Sequence, residues 1–377
     1  MIYLDQAATS FPKPPEVREA VMRCLAEYAV NPGRGDHQLV RRAQEHVSLA
    51  RRRAAELFHI RHPERILFFL NATQAINQAI KGLVRPGDHV IASGMEHNAV
   101  RRPLLHLQRN GVEVTFLKGD RWGVPTAEEV DSALRENTRL VILNHASNVT
   151  GAIADIGAVG QRLRQKGVAF MVDAAQSAGV LPINVEEMGI HLLAFAGHKG
   201  LYGPQGVGGL YISEELDLVP LIHGGTGIHS SDADQPVSLP ERYESGTLNT
   251  PGLAGLAAGL EIVLARGVDA IFRHEWELIQ HLQSELEQIP GVTVYGPPLG
   301  QPKVGVLSFQ VEGYHSEEVA ILLDEHFRIA VRGGLHCAPL VHERLGTLGS
   351  GTVRASVGLF NTHDEIGKLV AAVRELI

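Results

Sequence analysis

The chain has 377 residues, 44% of them hydrophobic, and a formal net charge of -8, which supplies material for a large core and a smaller companion but no cationic face for nucleic acid or an anionic membrane. No apolar run reaches the roughly 18 residues of a membrane span, and MIYLDQAATSFPKPP lacks the basic flank and apolar run of a signal peptide, so a soluble cytoplasmic protein is expected. Two cysteines, Cys24 and Cys337, are too few for a disulfide framework; no HExxH or paired-cysteine spacing offers a metal site, and HEWELIQH from His274 spaces its histidines wrongly for one helical face.

In chain order, the first strong signal is an Arg-rich amphipathic helix over Gln38–Phe58, with Arg51, Arg52 and Arg53 read as a solvated face. Short apolar runs then alternate with helical stretches. Strands are predicted over Ile66–Leu70, His89–Ser93, Glu113–Leu117, Leu140–Asn144, Ala169–Asp173, Leu192–Ala196 and Val207–Ile212, the pattern of parallel strands joined by crossover helices. After Pro251 come helices over Leu253–Ala265 and Phe272–Gln288, strands near Val292 and over Val304–Phe309, and a helix over Glu317–Glu325. Strands near Ile329 and Val353 and a last helix from Asp364 complete a mixed layer. The expected fold is α/β: a large, mainly parallel sheet domain with helices on both faces over residues 15–252, and a smaller α+β domain over 253–377. Residues 1–14 are expected to pack with the smaller domain rather than the larger.

Chemistry concentrates at the ends of these strands. In AGHKGLYGPQGVGG an apolar strand runs into a glycine-rich turn, presenting Lys199 at a strand's carboxyl end, where open α/β sheets bind ligands. A lysine that forms a Schiff base needs such access, a phosphate site nearby and an acid for the cofactor's ring nitrogen. Asp173 in MVDAAQSAG ends another strand and can pair with a pyridinium, with Gln176 able to reach a ring oxygen; Asp173 could equally cap a helix. In LNATQAINQAI the chain enters a helix through Ala72 and Thr73, leaving backbone N–H groups and a hydroxyl for a phosphate, although an ordinary Thr cap would look the same. GPQGVGG at Gly203–Gly209 suggests a nucleotide-dependent oxidoreductase only superficially, because it runs into a strand rather than a helix.

Taken in order, LDQAATS, NATQAIN, EHNAV, NHASNVTG, DAAQSAG, GHKGLYGPQG, RYESGTLNTPG, RGGLHCAP and GTVRASVGLFNT span nearly the whole sequence. Together they resemble the class V aminotransferase superfamily and, within it, the cysteine desulfurases and selenocysteine lyases. The resemblance implies the type I pyridoxal-phosphate transferase fold and pyridoxal 5'-phosphate as cofactor on Lys199. It also implies that His97 stacks on the cofactor ring and takes part in catalysis, that Asn148 sits beside cofactor and substrate, and that His198 joins Thr73 at the phosphate. Thr247 resembles a residue that reaches the phosphate from the other subunit, implying a homodimer. Arg354 resembles the clamp on the substrate carboxylate, a task suited to a planar guanidinium, with Arg332 as a second cation.

Cys337 separates the activities open to such a site. A thiol acts as nucleophile only as thiolate, and Arg332 and His336 lie close in sequence, while Gly333 and Gly334 free the segment to approach a ligand. Cys24, on an amphipathic helix, is expected simply to pack. The expected reaction converts L-cysteine to L-alanine, leaving a persulfide on Cys337 for an acceptor protein. Transamination or selenocysteine lysis at the same cofactor site is the alternative. Gly200 directly after Lys199 departs from many relatives, and the short RGGLHCAP loop resembles the desulfurase group that often depends on a partner to accept sulfur.

Overall fold

The computed structural model describes residues 1–228 and 231–377. A short strand β1 (Ile2–Tyr3) precedes helices α1 (Pro15–Glu27) and α2 (Gln38–Leu57). There follow β2 (Ile66–Phe69), α3 (Ala72–Leu83), β3 (His89–Ala92), α4 (Asn98–Gln108), β4 (Glu113–Phe116), α5 (Ala127–Ala133), β5 (Thr138–Asn144), α6 (Ile156–Lys166), β6 (Ala169–Asp173), β7 (Leu192–Ala196) and β8 (Gly208–Ile212). The remainder is α7 (Thr250–Arg266), α8 (Val268–Leu286), β9 (Val292–Tyr295), β10 (Val306–Val311), α9 (Ser316–Phe327), β11 (Ile329–Ala330), α10 (Pro339–Leu345), β12 (Val353–Ser356) and α11 (His363–Glu375).

The large sheet has the order β2-β8-β7-β6-β5-β3-β4. Only β8 runs against its neighbours, so β2, β3, β5, β6 and β7 all deliver their carboxyl ends to one edge. Both faces are covered, and the strand period of two decides which side chain goes where. On β5, Leu140 and Ile142 pack with α3 and α4, whereas Val141 and Leu143 pack with α2, α6 and α7; on β6, Ala169 and Met171 alternate with Phe170 and Val172 in the same way. This is the expected mainly parallel α/β layer with helices on both faces. The glycines that open β8 serve packing: a Cβ on Gly209 would lie 2.1 Å from the Phe195 ring.

A second, antiparallel sheet of order β12-β10-β9 is backed by α8, α9 and α11 around its own core. β1 pairs in parallel with β11, and Leu4 is buried in that core. From Ala7 onward the amino-terminal segment crosses to the large sheet, where Ser10 N donates to the His198 carbonyl at 2.9 Å. We propose that the chain divides into two units at Gly267 rather than at residue 252, because α7 still packs Leu253, Leu256 and Leu260 into the core of the large sheet.

One expectation is corrected outright. Arg51 is not part of a solvated face: it is 7% exposed and forms a bidentate ion pair with Glu244, both N–O distances 2.9 Å. Arg53 donates to the Ala257 carbonyl and pairs with Glu261, leaving only Arg52 of the three fully exposed. Removing one partner of a buried pair such as Arg51–Glu244 costs about 3–5 kcal/mol, since the other charge stays buried. Cys24 is packed, fully buried beside Tyr28, Ala43 and Ala254.

Candidate active site

The shared edge of the large sheet opens into a cavity of about 230 Å³. At the end of β2, Asn71 caps α3 by accepting from Gln74 N at 2.9 Å, so Thr73 is not the cap. The N–H groups of Ala72 and Thr73 lie in the first turn, where no helical carbonyl can reach them, and the exposed Thr73 hydroxyl stands beside them at the cavity. After β3, His97 caps α4, its Nδ1 accepting from Ala99 N at 3.0 Å. Burial, followed by the charges of Lys199 and Arg332, pushes the His97 imidazole down to about 4. The ring is therefore neutral near pH 7, and with Nδ1 accepting, its hydrogen resides on Nε2.

Asp173 closes β6 and is 2% exposed; its Oδ1 accepts from Ala175 N at 2.9 Å, and it sits before a turn rather than capping a helix. Burial raises its pKa, opposed by that hydrogen bond and by Lys199. Such a carboxylate lacks a full countercharge and would be stabilised by a cationic ring nitrogen. Lys199 follows β7 and reaches the cavity, where crowding by protein lowers its amine to about 8, with Asp173 opposing and Arg354 and Arg332 reinforcing the shift. The Gly200 departure has a steric cause: a Cβ there would lie 2.5 Å from the Ala178 carbonyl oxygen. His198 Nδ1 is 3.0 Å from the Thr9 hydroxyl, and Gln176 Nε2 spends one N–H on the Ala7 carbonyl at 3.0 Å, so the amino-terminal segment braces both.

The other wall comes from β12. Arg332 and Arg354 are paired across an antiparallel bridge, which sets two guanidinium groups side by side at the cavity. Arg354 is 1% exposed; Nη2 pairs with Asp5 at 2.6 Å and Nη1 donates to the Asn148 carbonyl at 3.2 Å. Its Nε is buried without a partner among the described residues, as is Asn148 Oδ1. An excess of cation with spare donors is the arrangement that binds a carboxylate. Cys337 is exposed beside the cavity, its Sγ 3.9 Å from Arg332 Nη2.

Thus Ala72, Thr73, His97, Asn148, Asp173, Gln176, His198, Lys199, Arg332 and Arg354 line one cavity, with Cys337 joined to it through Arg332. Thr247 does not line it. It is exposed, accepts from Asn31 Nδ2 at 3.0 Å, and borders a separate hollow of about 310 Å³ with Leu221 and Ile222. His336 does not turn its ring to the thiol: Nε2 contacts the Thr352 carbonyl at 3.0 Å, and burial, then Arg354, drives its pKa down to about 2. Sequence reasoning missed Asp5 and Glu96. Glu96, fully buried and raised to about 8 by burial, accepts from Asn144 N at 2.8 Å and ties the β3 and β5 ends together. A carboxylate inside each of the strings LDQAATS and EHNAV was the available signal for both.

These residues fit a flat cofactor carrying a phosphate and a ring nitrogen: helix-start amides and Thr73 for the phosphate, Asp173 for the nitrogen, Lys199 for the linkage. The family model described as Aminotransferase class-V matches residues 2–369. A protein of Methanothermobacter thermautotrophicus named "Probable cysteine desulfurase" is 37% identical over 382 residues, covering 100% of this chain and 94% of the relative. An Escherichia coli protein named "Cysteine desulfurase" is 34% identical, with 100% and 93% covered. The apo structure of cysteine desulfurase from Thermococcus onnurineus superposes with a TM-score of 0.93 at 35% identity, covering 100% of this chain and 94% of that one.

Proposed function

The chain belongs to the class V aminotransferase family, and from that membership we propose that it is a pyridoxal-phosphate-dependent cysteine desulfurase, converting L-cysteine to L-alanine with the sulfur held as a persulfide on Cys337. The observation that carries the reading is the thiol beside Arg332, on the strand pair that also supplies Arg354 to the cavity. Pyridoxal phosphate, when bound, withdraws electrons from the substrate's Cα and Cβ.

The chain's own residues do the rest. Ala72 and Thr73 would hold the phosphate through amides and hydroxyl, with His198 beside them; Asp173 would supply the negative charge that keeps the ring nitrogen protonated, and Gln176 has a second amide hydrogen for the ring oxygen. His97 would lie against the ring as a neutral imidazole, with Nε2–H free to exchange a proton. Lys199, which would carry the cofactor's linkage and whose amine is lowered to about 8 by burial, is the residue that would move the Cα proton. Arg354 receives the substrate carboxylate on Nε and its remaining N–H groups while Asp5 and Asn148 keep the guanidinium in place. Cys337, as thiolate paired with Arg332, attacks the substrate sulfur. The S–S bond forms as the Cβ–S bond breaks; the electron pair left on Cβ takes a proton, and Lys199 returns the proton it took from Cα, which completes alanine.

We further propose a homodimer in which Thr247 reaches the partner's phosphate, supported by its place outside this chain's own cavity and by exposed Leu70, Leu221 and Ile222 around the adjoining hollow. A reducing compartment such as the cytoplasm would keep Cys337 free, and an acceptor protein would remove the sulfur. The test is to incubate pure protein with L-cysteine and a reductant and to quantify alanine and sulfide together. Equal amounts are expected, falling by orders of magnitude in Cys337→Ala and unchanged in Cys24→Ala. Pyruvate in place of alanine, or full desulfuration by Cys337→Ala, would defeat the reading.

A further inference from the structure

Cys337 is set in place by its neighbours. His336 and Cys337 have φ of 50° and 60°, two successive non-glycine residues in the left-handed region, and such a turn persists only when its surroundings hold it. Two holds are on the backbone: Asn148 Nδ2 donates to the His336 carbonyl at 2.6 Å and Asn98 N to the Cys337 carbonyl at 2.8 Å. The third is the His336 ring. A carbonyl can only accept, so His336 Nε2, 3.0 Å from the Thr352 oxygen, must carry the hydrogen. Burial and the nearby charges of Arg354 and Arg332 keep the ring neutral, which leaves Nδ1 a bare lone pair. That atom is buried and has no partner among the described residues.

A second ring with an unmet need packs beside it. His342 on α10 is fully buried, its ring centroid 5.7 Å from that of His336 with the planes at 45°. Its Nδ1 is 2.8 Å from the Thr347 hydroxyl, and its Nε2 is likewise buried without a partner among the described residues. With the hydroxyl donating to Nδ1, the His342 hydrogen resides on Nε2, which makes that unpartnered atom a donor and the unpartnered His336 Nδ1 an acceptor. Leaving both atoms unsatisfied would be costly inside the protein.

We propose that His342 is a positioning residue for Cys337: its Nε2–H serves His336 Nδ1, directly or through one water, and the chain Thr347–His342–His336–Thr352 holds the left-handed turn that sets the sulfur beside Arg332. The inference rests on the reading of Cys337 as the sulfur-accepting thiol. The arrangement acts on sulfur attack and not on substrate binding, because Arg354 is held by Asp5 and the Asn148 carbonyl and hydrogen-bonds to neither imidazole.

Three substitutions separate this from ordinary packing. His342→Phe removes both nitrogens, His342→Asn restores a group only near Nδ1, and His342→Gln restores one near Nε2. Two rates are measured on the cofactor-loaded protein: alkylation of Cys337 by iodoacetamide, followed by peptide mass, and alanine formation from L-cysteine. In His342→Phe and His342→Asn both the alkylation rate and kcat should fall about fivefold or more with KM unchanged, and His342→Gln should recover to within about twofold. If His342→Phe does not fold, the Asn and Gln variants decide alone. Wild-type alkylation in His342→Phe, or recovery by Asn equal to that by Gln, would overturn the proposal. Alanine formation that does not need Cys337 would sink the sulfur-transfer reading instead, and the alkylation rates would still report on the turn.

Discussion

Lys199 and Cys337 belong to one site and are held in different ways. Lys199 stands three residues beyond Ala196, the end of β7, an internal strand of the large sheet, in a turn so closely packed that a Cβ on Gly200 would lie 2.5 Å from the Ala178 carbonyl oxygen. Cys337 lies on a loop of the second unit, in a left-handed turn, with its side chain exposed and its carbonyl tied to the start of α4. The cofactor wall is thus built from regular structure that buries it, and the thiol from strained backbone that presents it. The contrast suits the two chemistries: a cofactor stays, whereas a sulfur must be passed on.

The sharpest way to break the comparison is to remove the wall's one covalent anchor. Lys199→Ala should lose the visible absorbance of the linked cofactor and essentially all alanine formation, while the alkylation rate of Cys337 stays near that of the cofactor-free wild type. An unchanged cofactor spectrum in that variant would contradict the assignment of Lys199. A smaller effect is expected from Thr247→Ala. If the wall is completed across subunits, cofactor affinity should weaken about tenfold, as for loss of one charged hydrogen bond, with Cys337 alkylation unaffected. The wild type should sediment as a dimer, and a strictly monomeric active enzyme would refute the cross-subunit role.

The two regions were also unequally legible in the sequence. Thr73, Asp173 and Lys199 each follow an apolar run that ends in a turn, and a parallel sheet gathers such ends at one edge, so local pattern was sufficient to bring them together. The walls around the thiol are fixed by distant partners: Asp5 on Arg354 across 349 positions and Asn148 on the His336 carbonyl across 188. Only the family resemblance pointed to Arg354, Asp5 had no signal beyond its place in LDQAATS, and nothing local pointed to His342. The Arg51 misreading has the same origin. Helical period places Arg51 on a helix, but only tertiary structure brings the buried Glu244 that neutralises it. Proximity in sequence likewise suggested His336 as a helper of the thiol, whereas the left-handed turn points its ring to Thr352.

The claim that both regions serve one reaction is tested most directly by the mass of the peptide containing Cys337 after the cofactor-loaded protein meets L-cysteine without reductant for a short time. One added sulfur on that peptide, removed by a thiol reductant and matched by alanine released, is the predicted result. Alanine accumulating while Cys337 stays unmodified, with the added sulfur absent or carried elsewhere, would contradict the account.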